Sequence, residues 1–292
     1  MRVITRGDLD GLASTVFLSL MNEVTDIRFA HPRDMQEGEV EVTADDIIVN
    51  LPYVAGCGMW FDHHSSEADR VDVQGDFEGK YGVAPSAARL IYEFYDSPDL
   101  RPFEEMLGYV DRVDSADLSV EDVTAPEGWV LLGYTCDPRS GLGRFQDYFH
   151  LLIDLVKKQT PIEEILAHAE VQKRVDDQVR FSAFLVSNSV VDGNVIVTDL
   201  RDKRDAPTGN RFLVYTLFED ANVQARIFDG INNNTLVALG HSIFNRTCQT
   251  DVGELLAEYG GGGHRGAGTA QFPAAEAAPK LQAIIERLKE AG

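Results

Sequence analysis

The chain has 292 residues, 44% of them hydrophobic and 25% charged, with a formal net charge of −22. That length can enclose a core large enough for two domains, and the composition excludes a disordered or fibrous chain. The charge excludes a broad basic face for duplex nucleic acid; a small phosphorylated ligand, neutralised locally by a metal ion or a few arginines, stays compatible with it.

The first residues, Met1 to Asp8, lack the apolar run and cleavage site of a signal peptide, and no apolar stretch is long enough to span a bilayer. Cys57, Cys136 and Cys248 are odd in number, far apart and in no metal-type spacing, so they read as reduced thiols. The expectation is a cytoplasmic protein with no membrane partner.

Arg2-Val3-Ile4-Thr5 predicts a first strand, followed by the turn Arg6-Gly7-Asp8-Leu9-Asp10-Gly11 and an apolar helix over 12–21. Two acids two apart at the carboxyl end of a strand can converge on one cation, where open α/β sheets place their ligands. A solvated turn or helix cap is the competing reading. Strands are expected over 27–30 and 46–52, the latter presenting the Asn50 amide. Next comes Trp60-Phe61-Asp62-His63-His64-Ser65-Ser66, an apolar strand running into an acid, two imidazoles and two hydroxyls. Imidazole and carboxylate together bind divalent transition cations. Adjacent residues of an extended chain face opposite ways, so one imidazole would hold a metal while the other turns to a substrate. A polar turn is the plainer account of an isolated His-His pair. Helices are expected over 85–96 and 101–111, the second delivering the acid-rich stretch with Asp111 and Asp114. Strands alternating with helices imply a mostly parallel sheet covered on both faces.

Thr160-Pro161-Ile162-Glu163 combines a cap hydroxyl, Pro at the first helical position and Glu at the capping-box position. It predicts one connector helix over 160–187 between an N-terminal domain, 1–159, and a C-terminal domain, 188–292. Strands are expected over 194–200, 223–228, 235–240 and 269–272, a short helix over 210–217, and a helix capped by Thr250 or Asp251. Four glycines, 260–263, end that helix and precede His264-Arg265; their N–H groups can approach an anion closely. The last segment, 280–290, places Leu281, Ile284, Ile285 and Leu288 on one packing face.

Asp8-x-Asp10-Gly11, Asp62-His63-His64-Ser65, the acid-rich helix end, and the Gly-Gly-Gly-Gly-His run with Arg246 upstream together resemble the DHH phosphoesterase superfamily and its associated C-terminal domain. Its members include RecJ-type exonucleases, nano-RNA and cyclic-dinucleotide-product phosphodiesterases, and exopolyphosphatase-like proteins; Gly209-Asn210-Arg211-Phe212 is most similar to the last of these. The resemblance spans essentially the whole chain. It implies a parallel-sheet catalytic domain with two divalent cations, usually manganese with magnesium as the alternative, a smaller C-terminal α/β domain, and a cleft between them. It further implies that Asp8 and Asp10 reach different metals and that His63 ligates the second. Asp111 would complete that second site, with Asp114 as its rival. Asp62 would support the His pair, and His64 would face the substrate phosphate. Asp10, Asp62, His63 and His64 would carry catalysis, while Arg246, Gly262, Gly263 and His264 would bind substrate with Arg265 as helper.

Two positions depart from the family pattern. Arg6 stands where the family has a histidine, and Asn50 where it has a metal-bridging aspartate; both missing ligands serve the first metal. Their joint loss points to one ion rather than two. Arg6 cannot lose its proton and would take part of the absent metal's space and charge, among the substrate contacts. Asn50 would lend only a neutral oxygen. The expectation is a divalent-metal phosphohydrolase acting on short oligonucleotides, dinucleotides or polyphosphate. The alternative is a catalytically degenerate nucleotide- or phosphate-binding protein. A homodimer is left open.

Overall fold

The computed structural model describes residues 1–64, 67, 77–136, 146–203, 206–207, 209–230 and 233–290. Ser65 and Ser66 of the Asp-His-His-Ser-Ser stretch lie outside the described residues. The chain divides into two compact units, 1–118 with 126–175, and 119–125 with 176–292.

In the first unit β1 (Arg2–Thr5), β2 (Asp26–Phe29), β3 (Asp46–Val49), β4 (Met59–Asp62) and β5 (Glu78–Tyr81) form a sheet in the order β2-β1-β3-β4-β5. Every pairing is parallel. The helices of this stretch are α1 (Leu9–Met21), α2 (Pro32–Gln36), α3 (Ala87–Tyr95) and α4 (Glu104–Asp114). Then follow α5 (Val120–Thr124), which belongs to the second unit, and α6 (Gly128–Thr135), α7 (Gln146–Lys157) and α8 (Ile162–Ala167).

β3 and β4 are buried along their whole length because both faces of the sheet are covered. Ile47, Val49, Met59 and Phe61 join the main core with residues of α1, α3, α4 and α7. Ile48 and Trp60 face the other way, into a smaller cluster with Met35, Val40 and Leu51. Trp60 is fully buried, stacked 4.9 Å from Tyr81, and its indole N–H donates to the Leu51 carbonyl at 3.0 Å. Burial of a side chain of this kind stabilises by about 1.5–3 kcal/mol.

The strand order places β1 beside β3, and successive connections leave that pair in opposite directions, the switch point at which α/β sheets open a crevice. Asp8 and Asp10 follow β1, and Asn50 follows β3. Gly11 is fixed by crowding: a Cβ there would stand 2.1 Å from the Arg6 carbonyl oxygen.

The connector expected over 160–187 is two helices, α8 and α9 (Ala169–Asn188), broken at His168, whose backbone is extended. Thr160 does not cap: α8 starts after Pro161, one residue later than the hydroxyl requires, and has no side-chain cap bond. The last division of the chain between the two units falls within α9, between Val175 and Asp176. No helix of the described residues is long and apolar enough to cross a membrane.

The second unit is built on β6 (Ser189–Asp192), β7 (Val195–Asp199), β8 (Val223–Asp229), β9 (Asn234–His241), β10 (Gly262–His264) and β11 (Ala267–Pro273), in the order β10-β11-β9-β8-β7-β6. β7 and β8 are parallel and the remaining pairs antiparallel. Val223, Ala225, Ile227, Val237, Leu239, Ala270 and Phe272 pack with Val252, Leu255 and Leu256 of α11 (Val252–Ala257) and Leu281, Ile284 and Leu288 of α12 (Ala277–Glu290). The helix expected over 210–217 is only α10 (Val214–Leu217). Asn210 spends its side chain on a turn instead, accepting from Phe212 N at 2.9 Å and donating to the Val123 carbonyl at 3.2 Å.

Asp251 caps α11, its carboxylate accepting from Glu254 N at 3.0 Å. The glycine run then does two jobs. Gly260 takes a φ of 76° and Gly261 N bonds back to the Leu256 carbonyl at 2.9 Å, closing the helix end. Gly262 and Gly263 go on as β10, where a Cβ on Gly263 would stand 2.3 Å from the Ala267 carbonyl oxygen.

Candidate metal centre and substrate contacts

Asp10, His63 and Asp114 each offer a ligand atom, and these atoms lie within 4.8 Å of one another. Asp10 is held from three sides: Ala87 N and Ala88 N at the start of α3 donate to it at 2.9 and 2.8 Å, and Ser14 Oγ at 3.3 Å. Ser86 starts that helix, its hydroxyl accepting from Arg89 N, which aims the Ala87 and Ala88 N–H groups at the carboxylate. His63 donates from Nδ1 to the Ala84 carbonyl at 3.0 Å. That bond turns Nε2 toward the acids, buried 3.0 Å from Asp114 Oδ2 and 3.8 Å from Asp10 Oδ2. A carbonyl behind one ring nitrogen and two carboxylates before the other is how proteins orient an imidazole that ligates a cation.

The electrostatics agree with the geometry. Burial raises the Asp10 carboxyl to about 7, with the Asp114 charge adding to the rise and His63 opposing it. Burial alone would depress His63, but the Asp114 bond and the Asp10 charge outweigh it and raise the imidazole to about 9. Asp114 is lowered because the His63 contact overcomes its burial. Metal-free, the group holds a proton in the place where a cation satisfies all three donors. Carboxylates and one imidazole suit manganese or magnesium.

Of the two acids offered by α4, Asp114 is the one in this group. Asp111 turns to α3, accepting from Ser86 Oγ at 2.6 Å and Arg89 Nε at 2.9 Å. Asp8 and Asp10 do not converge. Asp8 caps α1, accepting from Gly11 N at 2.9 Å and from Asn50 Nδ2 at 2.9 Å, and lies 3.2 Å from Arg6 Nε. Where the family pattern has its first metal, this chain thus has an Arg6–Asp8–Asn50 contact set. Asn50 takes a left-handed φ of 56°, and its Oδ1 is buried without a hydrogen bond.

The two imidazoles do not face opposite ways. β4 ends at Asp62, and past it the His63 and His64 rings sit 4.5 Å apart. His64 Nδ1 meets the fully buried Asp62 carboxylate at 2.8 Å. Burial opposes protonation of His64, but the Asp62 bond and charge outweigh it, and its pKa is raised.

In the second unit Arg246 lies in the turn after β9, its Nε donating to the Ile243 carbonyl at 2.9 Å. Gly262, Gly263 and His264 form β10, and Arg265 is in the turn to β11, its carbonyl accepting from Val252 N at 2.9 Å. The sequence reading expected the helix over 85–96 but missed that the Ala84 carbonyl and the Ser86 to Ala88 helix start hold His63 and Asp10. The signal was present in Pro85-Ser86-Ala87-Ala88, a capping serine just past a strand.

No family model matches the chain, and no curated protein matches it. Among solved structures it is similar to the pGpG-specific phosphodiesterase PggH from Vibrio cholerae, at 35% identity and a TM-score of 0.77, covering 100% of this chain and 99% of that one. The DHH domain of a protein described as a member of a family of ribosomal proteins has 15% identity and a TM-score of 0.59, covering 99% and 87%. RecJ from Thermus thermophilus, in complex with Mn2+, has 16% identity and a TM-score of 0.55, covering 99% of this chain and 52% of RecJ. The last two are likenesses of fold.

Proposed function

The chain belongs to the DHH phosphoesterase superfamily, and on that premise we propose that it is a divalent-metal phosphodiesterase acting on short 5′-phosphorylated oligonucleotides, with a guanine dinucleotide such as pGpG as the first substrate to test. The observation that carries this reading is the Asp10–His63–Asp114 group, in which the Nδ1 bond to the Ala84 carbonyl turns Nε2 toward both carboxylates.

Asp10, His63 and Asp114 would hold one Mn2+ or Mg2+ ion, which supplies positive charge to the phosphoryl oxygens at the carboxyl end of the first sheet. Arg6 contributes a fixed charge beside it, and Asn50 an amide oxygen. His64, whose protonated form Asp62 favours, contacts the phosphate and is placed to give a proton to the departing oxygen. Asp8 orients Arg6 and Asn50. The second unit contributes Arg246, Gly262, Gly263, His264 and Arg265 as substrate contacts. Asp111 positions α3 through Arg89.

The test is hydrolysis of pGpG, longer oligonucleotides, polyphosphate and pyrophosphate with manganese and with magnesium. Cleavage of pGpG supports the reading, and hydrolysis of none of them overturns it. Binding without turnover is the second reading. The Arg6–Asp8–Asn50 set favours it, because a two-metal mechanism needs a ligand that holds two cations about 3.5–4 Å apart. One tightly bound manganese per chain decides for the enzyme, and none decides for the binder.

A further inference from the structure

His64 lies past the last residue of β4, beyond the ladder that holds the strand itself. Its carbonyl oxygen is held instead from two sides: Tyr81 Oη donates to it at 3.1 Å, and Glu67 N at 3.1 Å. Glu67 is buried and tied back to the segment after β3, its carboxylate accepting from Tyr53 N at 3.2 Å. Asp62 turns the His64 ring through Nδ1, but where that ring sits depends on the backbone that carries it.

Tyr81 is built to set that backbone. It ends β5 opposite Asp62, and two residues earlier Gly79 stands opposite Trp60. Residues two apart on a strand share a face. Gly79 brings no side chain to the flank of the indole, and the Tyr81 ring takes that flank, stacked 4.9 Å from Trp60 with 9° between the planes. Trp60 is fully buried, and its own N–H is bonded to the Leu51 carbonyl. The phenol is thus locked by packing before its hydroxyl reaches the His64 carbonyl, the condition under which a supporting residue holds a reacting group in place.

We propose that Tyr81 is a positioning residue for His64: its hydroxyl anchors the His64 carbonyl so that the imidazole stands where the phosphate and the departing oxygen can meet it. The proposal rests on the role of His64 in the phosphodiesterase reading and deepens it. Tyr81 acts through His64 and not on the substrate. A reacting group displaced by about 1 Å can cost on the order of 10²-fold in rate, so one hydrogen bond at the backbone of that group is enough to matter.

The test is Tyr81→Phe, which keeps the ring on Trp60 and removes only the hydroxyl. Y81F should lower kcat for pGpG about 10- to 100-fold, with KM and manganese affinity unchanged. Tyr53→Phe takes a hydroxyl from the same ring cluster, where Tyr53 packs on Trp60 and Phe77, and should leave kcat as it is. In a His64→Ala background Y81F should cost nothing further, because the two residues act as one unit. No loss of kcat in Y81F, a change in KM alone, or the same loss with and without the imidazole overturns the proposal. A second readout needs no turnover: the Hε1 resonance of His64, assigned by its disappearance in H64A, should move in Y81F and stay in place in Y53F. If wild type does not cleave pGpG, or H64A leaves the rate unchanged, the role of His64 fails on its own. The resonance then decides Tyr81, and a signal unmoved in Y81F overturns the proposal.

Discussion

Asp8 and Asp10 stand two residues apart at the end of one strand, and their surroundings differ in kind. Asp10 is buried, its oxygens met by two helix N–H groups, with the His63 imidazole and a second carboxylate beside it. That arrangement brings two carboxylates together with only a titratable imidazole to answer their charge. Asp8 meets a guanidinium, a primary amide and a backbone N–H, and its charge is already answered. In one motif, therefore, one carboxylate sits beside a second acid and an imidazole while its neighbour meets the guanidinium of Arg6. On the proposed reading, Arg6 and Asn50 close one half of a metal site and leave the other half open.

Removing the open half should have the largest effect. Asp10→Asn is expected to abolish manganese binding and lower turnover by about 10³-fold or more, on the scale of losing preorganised charge stabilisation; calorimetric titration with manganese and the rate on pGpG check it. Retention of the ion by D10N would show that the group is no metal centre.

Opening the closed half comes next. Arg6→His with Asn50→Asp should free Asp8 and raise the bound manganese from one ion per chain to two, read by elemental analysis of the dialysed protein. Two ions already present in the wild type would erase the distinction drawn here.

Asp114→Asn against Asp111→Asn gives a smaller and sharper contrast. The first should weaken manganese binding about 10- to 100-fold, as perturbations of metal shells do. The second should leave the ion in place and lower thermal stability through the lost Arg89 and Ser86 contacts.

The gentlest probe is pH. The His63 imidazole, raised to about 9, must lose its proton to ligate, so manganese affinity should climb about tenfold per unit from pH 7 to 9 and level off above that. Below about 7 the slope should steepen, because the Asp10 carboxyl then holds a proton as well. An affinity flat across that range would mean that neither group is a ligand.

Much of this was legible in the chain itself. Arg2 to Thr5, Asp46 to Val49 and Met59 to Asp62 read as buried strands because apolar runs of that length, closed by turn residues, fit a sheet covered on both faces. That Asp10 and His63 come together was legible only through the family resemblance of their two motifs. Asp114 could not be separated from Asp111 in that way, since residues three apart share one side of a helix. What separates them is Arg89, brought across from α3, and that is a tertiary fact. The His63–His64 pair misled because alternation holds only while the chain is extended, and β4 ends one residue earlier.

The tie between Asp10 and the first turn of α3 gives the centre a reporter that needs no substrate. The amide protons of Ala87 and Ala88 point at a carboxylate whose freedom depends on what it holds. When a cation pins that carboxylate, opening of the turn should become rarer, and deuterium should enter those two amides more slowly than the rest of the helix.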